Sequence, residues 1–270
     1  MPTPTAPLGT LVLLGGGDDD PMLARLATML PSSEAAIEVL TTASRYQPAR
    51  TAAAYAHAWL QTGCANVRHL KVDEKHPADA PGTLARLRAA DLVFISGGDQ
   101  ERLLEFLAGT GFLAILKQKY QAEATFILAG TSAGAAALAE VMMVEGHGWR
   151  SLLGGRVEAQ PGLGLLPGVI LDQHFAERAR YPRLMHAVLA QPHLLGLGLS
   201  EETGLIIRHG HQAEVFGDEV VFTVDASDHT HSNLAGLPRN APISGHGLLV
   251  HLLVAGQGLN LATREVNVEG

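Results

Sequence analysis

Ser132 lies in Gly130-Thr131-Ser132-Ala133-Gly134, a single reactive hydroxyl among residues with small side chains. G-x-S-x-G is the pattern of a nucleophile elbow, a sharp strand-to-helix turn that lifts a serine oxygen above the end of a sheet. Small flanking residues let the backbone cross itself closely there. The same five residues would also suit a serine N-cap in a tight βα loop, so the pentapeptide alone leaves both roles open. Its surroundings favour the nucleophile. "ATFILAG" (Ala124 to Gly130) reads as a buried strand, and the alanine run beyond Ser132 reads as a helix. The Ala133 N–H would then face a developing oxyanion.

A serine hydroxyl needs a neighbouring base to react at neutral pH. The chain has 13 histidines, so residue type alone selects none. His76, His147 and His193 stand beside Pro or Gly and read as loop residues. His209 with His211, and His229 with His231, are two residues apart, which on a strand places each pair on one face. With no cysteine partner and no HExxH, they read as hairpin polarity, so no metal and no cofactor is expected. His174 differs. It follows the strand-like "GVILDQ" (Gly168 to Gln173) and precedes what reads as a helical run from Phe175. A base needs an orienting group in turn. Glu201 and Glu202 both follow the strand-like "LLGLGLS", and spacing does not choose between them. Either could equally be an exposed turn carboxylate.

The elements that must carry these groups follow from periodicity. "TLVLL" (Thr10 to Leu14), "AIEVL" (Ala36 to Leu40), "VRHLKV" (Val67 to Val72) and "DLVFIS" (Asp91 to Ser96) read as strands. Residues 49–63 and 83–90 read as helices between them. This alternation predicts parallel strands with helices on both faces, with ligands bound beyond the strands' carboxyl ends. Three of the strands run into "GGGDDD", "GGDQ" and "GTSAG", which should converge on one edge of the sheet. After Ser200 the texture changes to short runs broken at His209-Gly210 and Gly217-Asp218, as in antiparallel hairpins at the sheet edge or in a small second sheet. No linker or repeat interrupts the chain, so residues 1–270 are expected to be one domain.

Composition narrows the function classes. With 47% apolar and 17% charged residues, the chain is globular. A formal charge of −8 and only 5% aromatic residues argue against nucleic-acid binding. No apolar run is long enough for a membrane span. "MPTPTAPLGTLVLLGGG" lacks the basic start of a secretory leader. One cysteine, Cys64, rules out an internal disulfide, and a cytoplasmic location is expected.

"GTSAGA" (130–135), "LDQHFAERARYPRL" (171–184) and "GLGLSEETGLII" (196–207) together resemble the cyanophycinases, serine peptidases of family S51 related to aspartyl dipeptidase. "GGGDDD" (15–20), "TTAS" (41–44), "FISGGDQ" (94–100) and "FTVDASDHTHSN" (222–233) extend the resemblance nearly end to end. The resemblance implies a flavodoxin-like α/β fold akin to class I glutamine amidotransferases: a three-layer sandwich with a mainly parallel sheet, here with C-terminal antiparallel hairpins. It also implies a homodimer and a Ser–His–Glu triad of Ser132 as nucleophile, His174 as base and Glu201 as orienting carboxylate. Ser200 and Gly204 stand where the family more often has Asp and Ala, and neither change removes a catalytic atom.

The implied substrate is cyanophycin, a poly-aspartate chain with arginine on each side-chain carboxylate, cut to β-Asp-Arg dipeptides. An aspartyl or isoaspartyl dipeptidase acting on small peptides is the alternative, and a non-catalytic binding protein on the same fold comes after it. For the oxyanion the candidates are the N–H groups of Ala133, Gly98 and Asp99. Substrate carboxylates could meet Arg178, Arg180 and Arg183, although on a regular helix Arg178 would point away from Arg180. Gln100 and Gln173 could offer amide hydrogen bonds. Asp172 and the Asp18–Asp20 run could meet guanidinium groups, and that run could equally be a solvated turn or helix start.

Overall fold

In β1 (Thr10–Leu14), Leu11 and Leu13 enter one buried cluster and Val12 and Leu14 another. A strand buried on both faces belongs in the middle of a helix-covered sheet. The computed structural model, which describes residues 6–267, has this arrangement. After β1 come β2 (Ile37–Leu40), β3 (Val67–Leu70), β4 (Leu92–Ile95) and β5 (Ile127–Thr131). These strands lie parallel in the order β3-β2-β4-β5-β1.

Helices α1 (Asp20–Ala27) and α2 (Pro48–Gln61) cover one face through Leu23, Leu26 and Trp59. Helices α3 (Pro81–Ala89), α4 (Gln100–Leu107) and α5 (Gly111–Ala122) cover the other through Leu87, Leu103, Leu107, Phe112 and Leu116. Proline in the first turn starts α1, α2 and α3, where its missing N–H costs nothing. Asp99 caps α4 and Thr110 caps α5 by accepting from backbone N–H groups.

The helix after Ser132, α6 (Ala133–Leu138), has six residues, all buried. It rises about 9 Å, too little to return along the sheet and start another parallel strand there. The chain instead enters a second sheet as β6 (Ala139–Glu145), joined by β7 (Glu158–Pro161) and β8 (Leu166–Gln173). Then come α7 (Tyr181–Ala190) and β9 (Leu195–Leu199), which lies parallel to β8. The strands before His174 and before Glu201 therefore belong to this second sheet, not to the edge of the sheet that carries Ser132. α7 packs on its outer face through Leu184 and Val188.

The chain then returns to the main sheet as a hairpin, β10 (Thr203–Arg208) and β11 (Gln212–Gly217), with β10 antiparallel to β1. The turn at His209-Gly210 is as expected. At Gly217-Asp218 there is a crossing between sheets instead of a second hairpin, because β12 (Val221–Asp225) pairs with β9. Gly217 takes φ +105° there, and a Cβ on it would overlap the Glu202 carbonyl oxygen. The segment from Phe175 also departs from the helical reading. Ala179 adopts φ 47°, and α7 begins only at Tyr181, with Pro182 in its first turn.

Among the described residues no helix is long and apolar enough to cross a membrane. The first five residues of the amino-terminal segment read for a leader lie outside the described residues.

Candidate active site

Three consecutive carbonyls at the end of β1 hold the site together. Leu14 O accepts the Ser132 N–H at 2.9 Å, Gly15 O accepts the His174 N–H at 3.0 Å, and Gly16 O accepts the Glu202 N–H at 2.9 Å. One short stretch of backbone thus fixes segments arriving from both sheets. The glycines are required by contact. A Cβ on Gly15 would overlap the Ser200 carbonyl, and one on Gly16 would lie 2.8 Å from His174 Nε2 and closer to Cε1. Sequence reading placed "GGG" at the correct sheet edge but missed this role; three adjacent glycines after a strand were the available signal.

Ser132 has φ 51° and ψ −117°, a conformation costly for any residue with a side chain. Gly130 and Gly134 lie against each other's backbone, and Gly134 lies on the Ile95 carbonyl, so the elbow has no room for Cβ atoms on either side. Next to Ser132, Thr131 donates its hydroxyl to buried Asp19 at 2.8 Å, and Tyr55 donates to the same carboxylate at 2.7 Å. Burial raises the Asp19 pKa. Asp19 thus anchors Thr131 and Tyr55, while Asp20 opens α1.

Ser132 Oγ lies 2.7 Å from His174 Nε2, and His174 Nδ1 lies 2.5 Å from Glu201 Oε1. His174 also has a positive φ, 47°. Burial holds its pKa below the ordinary histidine value, against the pull of the Glu201 carboxylate and with help from Arg178 and Arg180. A neutral imidazole in this position can take the hydroxyl proton. Of the two adjacent glutamates, Glu201 is the one that reaches the ring. Glu202 turns away at φ 47°, and its carboxylate accepts the Asp18 N–H at 2.9 Å. Glu177 accepts the Glu201 N–H at 3.1 Å, a support that sequence reading missed.

Beside the hydroxyl, a Cβ on Gly97 would lie 3.2 Å from Ser132 Cβ. Among the described residues the N–H groups of Ala133 and Gly98 have no backbone acceptor, so both are free donors. The Asp99 N–H is not, since it is bonded to the Ala43 carbonyl at 2.9 Å.

The arginine cluster also differs from expectation. Asp172 is fully buried and takes Arg183 Nε at 2.6 Å and Arg180 Nη1 at 3.0 Å. Arg180 also bonds the Gln173 carbonyl, and Arg183, 3% exposed, reaches the Gly146 carbonyl at 3.4 Å. Asp172 and Arg183 thus satisfy each other inside the protein and fix the strand end that leads to His174. Arg178 is exposed and stays near His174. Gln100 donates to the Met143 carbonyl at 2.6 Å and accepts from Gln173 at 3.5 Å. Gln173 is buried, and its Oε1 has no partner among the described residues.

Of the paired histidines only His231 lies in a strand. His209 and His211 straddle the turn between β10 and β11, and His229 bonds the Ala226 carbonyl. Among the described residues no group of three or more His, Cys, Asp or Glu is placed to hold a metal ion.

The sequence model of peptidase family S51 matches residues 11–215. A cyanophycinase from Trichormus variabilis is 33% identical over 270 aligned residues, covering 98% of this chain and 90% of that protein. One from Synechococcus elongatus is 34% identical over 262 residues, covering 96% and 81%. The crystal structure of a peptidase from an acI-B1 actinobacterium shares the fold, with a TM-score of 0.65 at 21% identity over 95% of this chain and 98% of that one. The family match over most of the chain and relatives aligned along nearly all of it show that the chain belongs to peptidase family S51 and is a peptidase.

Proposed function

We propose that the chain is a serine peptidase that degrades cyanophycin to β-Asp-Arg dipeptides, with Ser132 as nucleophile, His174 as general base and Glu201 as orienting carboxylate. The observation that carries this reading is the unbroken hydrogen-bond chain from Ser132 Oγ through both ring nitrogens of His174 to Glu201. The likeness to cyanophycinases supports the choice of substrate.

Ser132 Oγ attacks the aspartyl carbonyl carbon as His174 Nε2 takes its proton. The N–H groups of Ala133 and Gly98 hold the oxyanion, each such donor worth about 3 kcal/mol of barrier. The imidazolium, stabilised by Glu201, passes its proton to the leaving backbone nitrogen. Water then opens the acyl-enzyme with His174 again as base. Arg178, exposed and without a carboxylate partner among the described residues, is the arginine free to meet a substrate carboxylate.

Because both sheets contribute to the triad, residues 1–270 work as one domain. Two chains associate through the second sheet's edge strand, Leu249–Leu253, where Leu249 and Leu252 are 53% and 60% exposed. A single buried Cys64 suits the reducing cytoplasm.

The test is incubation with purified cyanophycin and mass analysis of the products. β-Asp-Arg should accumulate with the native chain and be absent with Ser132→Ala of unchanged fold. Turnover of free Asp-X dipeptides with the polymer left intact would replace this reading with the dipeptidase one.

A further inference from the structure

Arg178 and Arg180, close after His174 in the chain, line a small cavity of about 140 Å³ together with Gly146 and His147. Gly146 and His147 also line a larger groove of about 450 Å³, so the two spaces adjoin. The groove carries Arg150, Arg156 and Arg239 with Glu145 and Glu158. All five are exposed.

On an acidic chain most arginines should find carboxylates, and nine of them do. Among the described residues six do not: Arg50, Arg88, and the four that line these two adjoining spaces, Arg150, Arg156, Arg178 and Arg239. Arg156 donates only to the Asn240 side-chain oxygen, at 2.6 Å, which ties it to the loop carrying Arg239. Arg150 lies over Trp149, a ring 67% exposed. Guanidinium groups gathered around one groove without carboxylate partners are arranged for an anionic guest.

We propose that this groove is an extended subsite that holds the units of the polymer beyond the bond to be cut. The proposal rests on the cyanophycin reading of the site. Each unit of that polymer presents a free carboxylate and a guanidinium. Three arginines beside two glutamates match both signs. A nucleic acid would match only the arginines, and the overall charge of −8 opposes it.

The test compares the native chain with R150Q/R156Q/R239Q on two substrates, the purified polymer and a three-unit oligomer. The ratio of kcat/KM on polymer to that on oligomer should fall about tenfold, as expected for three solvent-facing charge pairs acting together. The change should appear in KM, and R150K/R156K/R239K should recover most of it. Thermal unfolding checks that the variants remain folded. In parallel, polymer binding is measured by co-sedimentation in Ser132→Ala with and without the three Gln substitutions. An unchanged ratio, or polymer binding that the substitutions leave intact, overturns the proposal. If the native chain fails to cut the polymer but Ser132→Ala binds it only with the arginines present, the hydrolytic reading fails and the subsite stands.

Discussion

Gly16 lies beneath the imidazole of His174, and any side chain there must displace the ring. Gly16→Ala should therefore lower kcat about 100-fold while the fold persists, measured by cyanophycin turnover beside circular dichroism. The protonation state of that ring predicts a pH profile. Burial keeps the His174 pKa low, so kcat/KM should rise with pH through a midpoint below the ordinary histidine value and stay flat above it. The Glu201 carboxylate favours the charged ring, so removing its charge lowers the midpoint further. Glu201→Gln should shift the acid limb to lower pH as well as reduce the rate, read from kcat/KM across pH. At this scale the hydroxyl and the imidazole were legible from the residues that precede them. The choice between Glu201 and Glu202 was legible only through the family resemblance, since both have the same chemistry and both follow the same strand.

The segment from β8 to α7 is held by a buried charge pair. Removing Asp172 leaves Arg183 charged, 3% exposed and without its carboxylate. Asp172→Ala should cost about 3–5 kcal/mol and lower the melting temperature by roughly 10 °C, measured by calorimetry. A direct substrate contact by Asp172 would instead change KM and leave the melting temperature alone. Of the main parallel strands, β1, β4 and β5 were readable because apolar runs ending in or just before glycine mark buried strands, and β2 and β3 were readable from short β-rich runs between helical segments. Their partition into two sheets was not readable, because "GVILDQ" looks the same in either sheet. The deciding feature is the length of α6, and an alanine run does not show where its helix stops. The basic groove was not readable either, since Arg150, Arg156 and Arg239 meet only after β7 and the segment near Asn240 fold together.

Across the whole molecule, the edge strand Leu249–Leu253 presents apolar side chains and an open row of backbone groups on its unpaired side. L249K/L252K should turn a dimer into a monomer, read by light scattering, and a native chain already monomeric at micromolar concentration would remove that interface. The carbonyls of Leu14, Gly15 and Gly16 have a consequence for biosynthesis. They leave the ribosome early, and the segments around His174 and Glu202 that dock on them follow much later. If Ser132 and His174 act as proposed, a half-translated polypeptide carries its serine with no base in position, so the peptidase would stay latent until most of it has been made.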